Sequence, residues 1–279
     1  MITALAVAAV LTACNSESEN DGTYARITFT VTGDFALTTS PMTRVLEADG
    51  KSMTDVWVLD YIDGVLKQQV HQTSDDSDFG SPTLSLALGE HHIYFIASRG
   101  QDAALDTDAH TITFSTVRDT FWKDYPITVS GGTSSGSRSV ALDRAVTKLK
   151  VTFSDAIPED AATFNISPAT WYYGMDYMTG NPTAAATSQA ITVSIPASSI
   201  GVTGENVSIF GFSGSEEWAT DISVDCKTAG GSVLGAATIA SAPFVRNRVN
   251  EYTGPMFGDN GAMTLTLNAA WEDAYTGTW

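Results

Sequence analysis

The chain has 279 residues and a formal net charge of -18, with 14 Lys and Arg against 32 Asp and Glu. This acidity argues against nucleic acid or an anionic lipid surface as partner, because both need a basic face. Abundant Thr, Ser, Gly, Val and Ile favour β structure, and two cysteines, Cys14 and Cys226, are too few for a disulfide framework or a Cys₄ or Cys₂His₂ zinc site.

The first fourteen residues have the form of a lipoprotein signal. An apolar run from Ile2 to Leu11 is followed by Thr-Ala-Cys14. About ten apolar residues suit a signal peptide, because a membrane-spanning helix needs about 20. Small residues before the cysteine are typical of a lipobox, and at about 0.8 kcal/mol per buried CH₂ three acyl chains would hold the protein firmly. We predict that residues 1–14 are a signal peptide and that Cys14 is lipidated; the alternative is an ordinary secretory signal with a chance cysteine.

The next segments lead into a strand. Residues 15–22 are polar and acidic, which predicts a solvated tether. Tyr24 to Gly33 alternates, with Ile27, Phe29 and Val31 on one face, and we expect a half-buried strand. Residues 34–52 lose this periodicity and predict a long exposed connection.

Two hairpins are predicted next. Asp55 to Gln72 holds two apolar runs around Asp63-Gly64, a pair that tolerates positive φ at both positions. A second hairpin is expected from the alternating Leu84, Leu86 and Leu88, a turn at Gly89-Glu90, and a strand from His92 to Ser98. Residues 101–110 suggest a short helix or loop.

The remainder predicts short strands throughout. A long β segment covers Ser139 to Phe153, and the first domain is expected to end inside it. The other predicted strands are Ile112 to Val117, Tyr125 to Ser130, Phe164 to Ser167, Ile191 to Ile195, Val207 to Phe212, Ile222 to Cys226, Ser232 to Ile239, Arg248 to Thr253 and Met263 to Trp271. Such spacing without βαβ alternation predicts tandem β-sandwiches, one over residues 23–147 and one over 148–279.

The sequence motifs that suggest catalysis or metal binding are each incomplete. Gly132-Thr-Ser134-Ser-Gly136 matches a nucleophile elbow, but a β segment follows where that motif needs a helix. Asp75-Asp-Ser-Asp78 could hold Ca²⁺, yet it lacks the glycine and distal glutamate of a calcium loop. We predict no enzyme activity, no cofactor and no metal. Each histidine is expected to be a satisfied surface residue, and Cys226 to be a small buried hydrophobe; the histidines are His71, His91, His92 and His110.

An aromatic cluster leaves two interpretations open. It consists of Trp171, Tyr172 and Tyr173, with Tyr177 nearby, and it lies outside any predicted strand. Planar rings of this kind can stack on sugar faces. They can also cover the edge of a core or a domain interface, which we favour.

Four features together resemble the fimbrillin-like surface lipoproteins of Bacteroidales, the subunits of type V pili, and most closely their minor anchor and tip subunits. They are the lipobox with its acidic tether, DVWVLDYIDGVL from Asp55, LDRAVTKLKVTF from Leu142, and VRNRVNEYTGPMF from Val245 followed by LTLNAAW. The resemblance implies two transthyretin-like Greek-key β-sandwiches on an outer-membrane lipid anchor. It also implies partner fimbrial subunits and surface ligands of host or bacterial origin.

In polymerising members of that family, an arginine-specific protease cuts near the first strand, and a strand from the next subunit fills the groove that opens. Arg44 is the matching candidate here, and the alternative is an ordinary surface arginine. Because only Glu272 to Trp279 follow the last predicted strand, we expect an anchor or tip subunit rather than a stalk pilin. The competing function is a surface glycan-binding lipoprotein that uses Trp171, Tyr172, Tyr173 and Tyr177 as a stacking platform.

Overall fold

The computed structural model describes residues 24–33, 53–99, 102–187, 190–257 and 264–268. Cys14, the tether, the connection 34–52 with Arg44, and residues 272–279 lie outside the described residues. Within them the fold is all-β, as predicted: there is no α-helix, and one 3₁₀ turn covers Ala197–Ser199.

The strands of the first half are β1 (Tyr24–Gly33), β2 (Asp55–Ile62), β3 (Val65–Thr73), β4 (Thr83–Ala87), β5 (Gly89–Ser98), β6 (Ala103–Asp106), β7 (Thr111–Phe114), β8 (Thr120–Val129) and β9 (Gly136–Arg144). Those of the second half are β10 (Val146–Phe153), β11 (Ala161–Pro168), β12 (Thr170–Asp176), β13 (Asn181–Thr187), β14 (Ile191–Ser194), β15 (Asn206–Phe212), β16 (Trp218–Thr228), β17 (Val233–Phe244), β18 (Val249–Gly254) and β19 (Thr264–Asn268).

Seven strands of the first half form one sheet that folds into two layers. Its strand order is β3-β2-β5-β8-β9-β1-β4, and β8 meets β9 only through the pairs Phe121–Arg144 and Trp122–Asp143. The sheet turns at this weak junction, so β9, β1 and β4 pack face to face with β2, β5 and β8. Inward side chains from both layers form a single core that includes Ile27, Phe29 and Phe95.

The second half is a sandwich of two four-stranded sheets. Their orders are β15-β10-β18-β19 and β14-β11-β16-β17, with a core between them that includes Phe153, Phe164 and Trp171. Each half places its first strand between an antiparallel and a parallel neighbour: β1 lies between β4 and β9, and β10 lies between β15 and β18. The halves therefore repeat a pairing pattern without a sequence repeat. Their division into domains 23–147 and 148–279 stays a prediction.

A fourth sheet joins the two halves. Its order is β13-β12-β7-β6, with Met175 of β12 paired to Ile112 of β7. At Gly174 an added Cβ would lie 2.6 Å from the Thr113 side chain, so this close approach of β12 to β7 requires glycine. The sheet covers a buried cluster that also takes Trp57, Leu59 and Tyr61 from β2. β2 is thus buried on both faces, because Val56 and Val58 point into the first core.

Three predictions about secondary structure were wrong. β4 and β5 are not a hairpin: β4 pairs with β1 and β5 with β2 and β8, because the chain crosses between layers at the exposed Leu88. Residues 103–106 form β6 rather than a helix or loop, since they pair with β7. The aromatic cluster lies within strand β12 up to Tyr173, because β12 pairs with both β13 and β7.

Candidate functional site

Strand β1 fills a groove between β4 and β9, which we call the β1 groove. Its inward side chains Ala25, Ile27, Phe29 and Val31 are at most 1% exposed. Apolar side chains form the walls and floor: Leu84 and Leu86 from β4, Val140 and Leu142 from β9, and Phe95 from the facing layer. Alternation along β1 therefore matches a row of apolar positions in the groove.

Backbone and side-chain contacts hold β1 along its whole length. Seven residue pairs join it to β9, from Ile27–Gly136 to Gly33–Leu142. On the other side, the backbone N–H groups of Phe29 and Val31 each donate a 2.9 Å bond, to Pro82 O and Gly80 O. The Phe29 ring meets Phe95 edge to face with 5.2 Å between centroids. Both the main chain and the core thus depend on an occupant of this groove.

The position of β1 in the chain means that a single cut could separate this strand from the rest of the fold. It is an inner strand of its layer, yet it is the first strand among the described residues and reaches β2 only through residues 34–52. Loss of β1 would leave β4 and β9 as facing unpaired edges roughly 9–10 Å apart, which is two strand spacings. A second chain with the same alternation could restore both the ladders and the core, which is the chemistry of β-strand addition.

The aromatic cluster packs inside the molecule. Trp171 and Tyr177 are 1% and 0% exposed, and Tyr172 and Tyr173 are half-buried. The Trp171 indole donates a 2.9 Å bond to Phe210 O, and the Tyr177 hydroxyl lies 2.7 Å from that of Tyr61 across the two halves. Trp171 and Tyr177 offer no open ring face for a sugar, so the structure agrees with the core and interface interpretation.

One histidine departs from expectation. His91 is 1% exposed, so the prediction of a surface histidine was wrong there: its alternation with Ile93 and Phe95 directs it into the first core. Its Nε2–H donates to Ala87 O at 2.8 Å, and its Nδ1 lies 2.6 Å from Asp60 Oδ1. His71 and His92 are exposed and lie beside Asp55 and Asp124.

The buried Asp60 carboxyl predicts a pH dependence of stability. Burial raises its pKa above the ordinary value, and the bond to His91 opposes that shift only in part. The folded state therefore holds the proton more tightly than the unfolded chain does. The contribution of Asp60 to the free energy of unfolding is then greatest below the ordinary pKa of about 3.9 and falls as pH rises toward the folded-state pKa, by up to about 1.4 kcal/mol per pH unit.

We expect the wild type to lose stability relative to Asp60→Asn as pH rises from about 4. Urea denaturation of both proteins across this range measures the difference. Asp63→Asn in the exposed β2–β3 turn is the control and should show no such trend. A difference between wild type and Asp60→Asn that is constant with pH contradicts this account.

The other sequence candidates have structural roles. Asp76 Oδ2 accepts a 2.6 Å bond from Thr73 N within a turn, and no metal-binding group of His, Cys, Asp or Glu is present among the described residues. The segment from Gly132 to Gly136 leads into strand β9, as expected. Cys226 is fully buried, as predicted, and burial raises its pKa to about 11. No helix in the described part of the chain is long and apolar enough to span a membrane.

Comparison with known proteins gives similarity in fold. No protein-family model matches the sequence, and no curated protein matches it at a significant level. A "putative adhesin" from Bacteroides ovatus ATCC 8483 has a TM-score of 0.52 at 11% identity, over 83% of this chain and 88% of that one. A second putative adhesin, from Bacteroides thetaiotaomicron VPI-5482, has a TM-score of 0.53 at 9% identity, over 88% of this chain and 96% of that one.

A third similar structure, also from Bacteroides thetaiotaomicron VPI-5482, is described as one of the "putative polysaccharide binding proteins" and has a TM-score of 0.52 at 8% identity, over 88% and 96% of the two chains. At such identities the likeness establishes the fold alone. The resemblance to Bacteroidales surface adhesins is confirmed at that level.

Proposed function

We propose that this protein is a structural cell-surface adhesion protein, a fimbrial subunit that joins its partners by β-strand complementation. One observation carries the proposal: β1 fills an inner groove with four side chains at most 1% exposed, yet it is attached to the fold through a single segment. The fold it shares with Bacteroidales adhesins supports this assignment. No catalytic role is proposed.

Cleavage at Arg44 would separate β1 from the rest of the fold. The strand would not leave at once, because burial of Ile27, Phe29 and Val31 contributes roughly 5–9 kcal/mol at about 1.5–3 kcal/mol each. An incoming strand of equal alternation regains that energy as β1 leaves. The cleaved β1 therefore stays in the groove and excludes water from it until a strand of a partner subunit replaces β1.

The lipid at Cys14 would hold the subunit in the outer membrane, with the tether at residues 15–22 between the lipid and the folded part. Cys14 and β1 lie on the same side of Arg44, so the exchange of β1 after cleavage would also detach the folded part from the lipid. An uncut subunit would therefore serve as a minor anchor, and a cut subunit as a tip subunit that receives a strand from its partner. The competing glycan platform is not favoured, because Trp171 and Tyr177 have no exposed ring face and only the half-buried Tyr172 and Tyr173 remain for stacking.

Mixing the purified protein with an arginine-specific protease and a partner fimbrial subunit tests the assembly. We expect a stable complex only after cleavage, with β1 absent from the complex by mass spectrometry. Arg44→Lys should block both cleavage and assembly. Arg118→Lys, at an exposed position before β8 and outside the β1 groove, is the matched control and should assemble normally. Failure of the cleaved protein to bind any partner, or assembly of Arg44→Lys, contradicts the proposal.

The lipid anchor is tested by fractionating cells of the bacterium that produces the protein. Cys14→Ser should move the protein from the membrane fraction to the soluble fraction. Retention of Cys14→Ser in the membrane would exclude lipidation as the anchor while leaving the strand-exchange proposal intact.

A further inference from the structure

A cleft lined by several charged and polar side chains lies where the two halves meet, and we call it the junction cleft. Its volume is roughly 290 Å³, and its lining consists of Asp143, Arg144, Ser215, Val245, Arg246 and Asn247. The first two end strand β9, and the others lie on the β15–β16 and β17–β18 connections. Backbone bonds fix the walls: Arg246 N donates to Gly214 O at 3.0 Å and Asn247 N donates to Val146 O at 2.9 Å.

Arg246 has an unbalanced positive charge in this cleft. Its Nε donates to Ser213 O at 2.9 Å, its Nη2 donates to Gly180 O, and its guanidinium lies 5.6 Å from the centre of the Trp122 ring. All these partners are neutral. Within the described part of the chain no carboxylate forms an ion pair with Arg246, and its Nη1 makes no hydrogen bond there.

The acids near the cleft are already matched by cations. Asp119 accepts two bonds from Arg144, at 2.7 and 3.1 Å. Asp143 forms a 2.8 Å ion pair with Lys123. Burial lowers the pKa of the Arg246 guanidinium, and the charge of Asp143 in the cleft opposes this shift, although the ion pair of Asp143 is with Lys123. A partly buried cation without a counter-ion is costly, and an anionic ligand would offset that cost.

We propose that the junction cleft binds a carboxylate group, with Arg246 and Ser215 as its donors. A guanidinium is a planar fork that matches a planar carboxylate. One unbalanced charge suits a monoanion better than a phosphate monoester, which carries about -1.5 to -2. The volume is at the lower end for small-molecule sites, so the ligand is of the size of one acidic sugar or one acidic side chain.

This site is separate from the β1 groove. The β1 groove lies between β4 and β9, whereas the junction cleft takes most of its lining from the second half. Asp143 and Arg144 follow Leu142, the last β9 residue paired with β1, so the two sites share strand β9 but no lining residue.

The test is a calorimetric titration of the wild-type protein with glucuronate, with N-acetylglutamate methylamide, and with neutral methyl glucoside. We expect at least one carboxylate to bind with a Kd on the order of millimolar, as suits a small ligand, and the neutral sugar not to bind. Tighter binding of glucuronate identifies an acidic sugar as the source, and tighter binding of the glutamate derivative identifies an acidic peptide side chain.

Two variants locate the binding. Ser215→Glu places a negative charge at an exposed position of the cleft and should weaken carboxylate binding about tenfold or more without lowering Tm. Its control is Ser232→Glu, in the turn at the far end of the β16–β17 hairpin, which should bind as the wild type does.

Arg246→Lys keeps the charge but loses the planar fork, and should weaken binding several-fold. Absence of carboxylate binding, equal binding of the neutral sugar, or unchanged affinity in Ser215→Glu would overturn the proposal.

Discussion

Phe29→Ala is expected to lower the free energy of unfolding by about 3–5 kcal/mol. The Phe29 side chain is 0% exposed and packs edge to face on Phe95 and Tyr125, with centroids 5.2 and 5.7 Å away. Its truncation leaves a cavity at the middle of the β1 groove, which the rigid layers on either side cannot close. Urea denaturation followed by tryptophan fluorescence measures the loss.

Thr30→Ala is the control on the same strand, because Thr30 points away from the core and is only half-buried. It should cost less than about 1 kcal/mol. Phe29→Ala should also speed replacement of cleaved β1 by a donor strand, since the variant strand contributes less to the groove. Equal stability of the two variants would contradict the account of β1 as an inner, core-forming strand.

Trp171→Ala is expected to be equally severe, at about 3–5 kcal/mol. The indole packs on Phe244 and Trp218 and lies so close to Gly211 that a Cβ added there would be 2.5 Å from the ring. The substitution removes this packing and also leaves Phe210 O without its indole donor. The loss should appear as a large drop in Tm and in the urea midpoint.

The exposed Tyr24, at 56% exposure, provides a matched aromatic truncation. Tyr24→Ala should change stability by less than about 1 kcal/mol. If Trp171 were part of a glycan-stacking platform, the opposite result is expected: Trp171→Ala would lose glycan binding and keep its stability. A stable, non-binding Trp171→Ala would therefore favour the glycan alternative over the packing described above.

The sequence correctly predicted those features of the fold that depend on residues adjacent in the chain. Alternation in Tyr24 to Gly33 predicted which side chains of β1 point inward, because side-chain direction in a strand has a period of two. Asp63 and Gly64 have φ of 51° and 73°, the positive values for which that residue pair was chosen. Short strands without helical periodicity likewise predicted the all-β class. Each of these properties depends on residues that are neighbours in the chain.

Pairing between distant segments was decided only by the tertiary structure. The alternation of Leu84 and Leu86 indicates a strand but not its partner, so it could not show that β4 leaves β5 and pairs with β1. The sequence predicted a surface position for His91, but in the fold this side chain is buried beside Asp60. Strand β12 was not predicted, because it depends on pairing with the distant strand β7. The junction cleft had no local signal at all, because Arg144 and Arg246 come from different halves. Sequence thus determined which way side chains face along each strand, whereas the fold determined what those side chains meet.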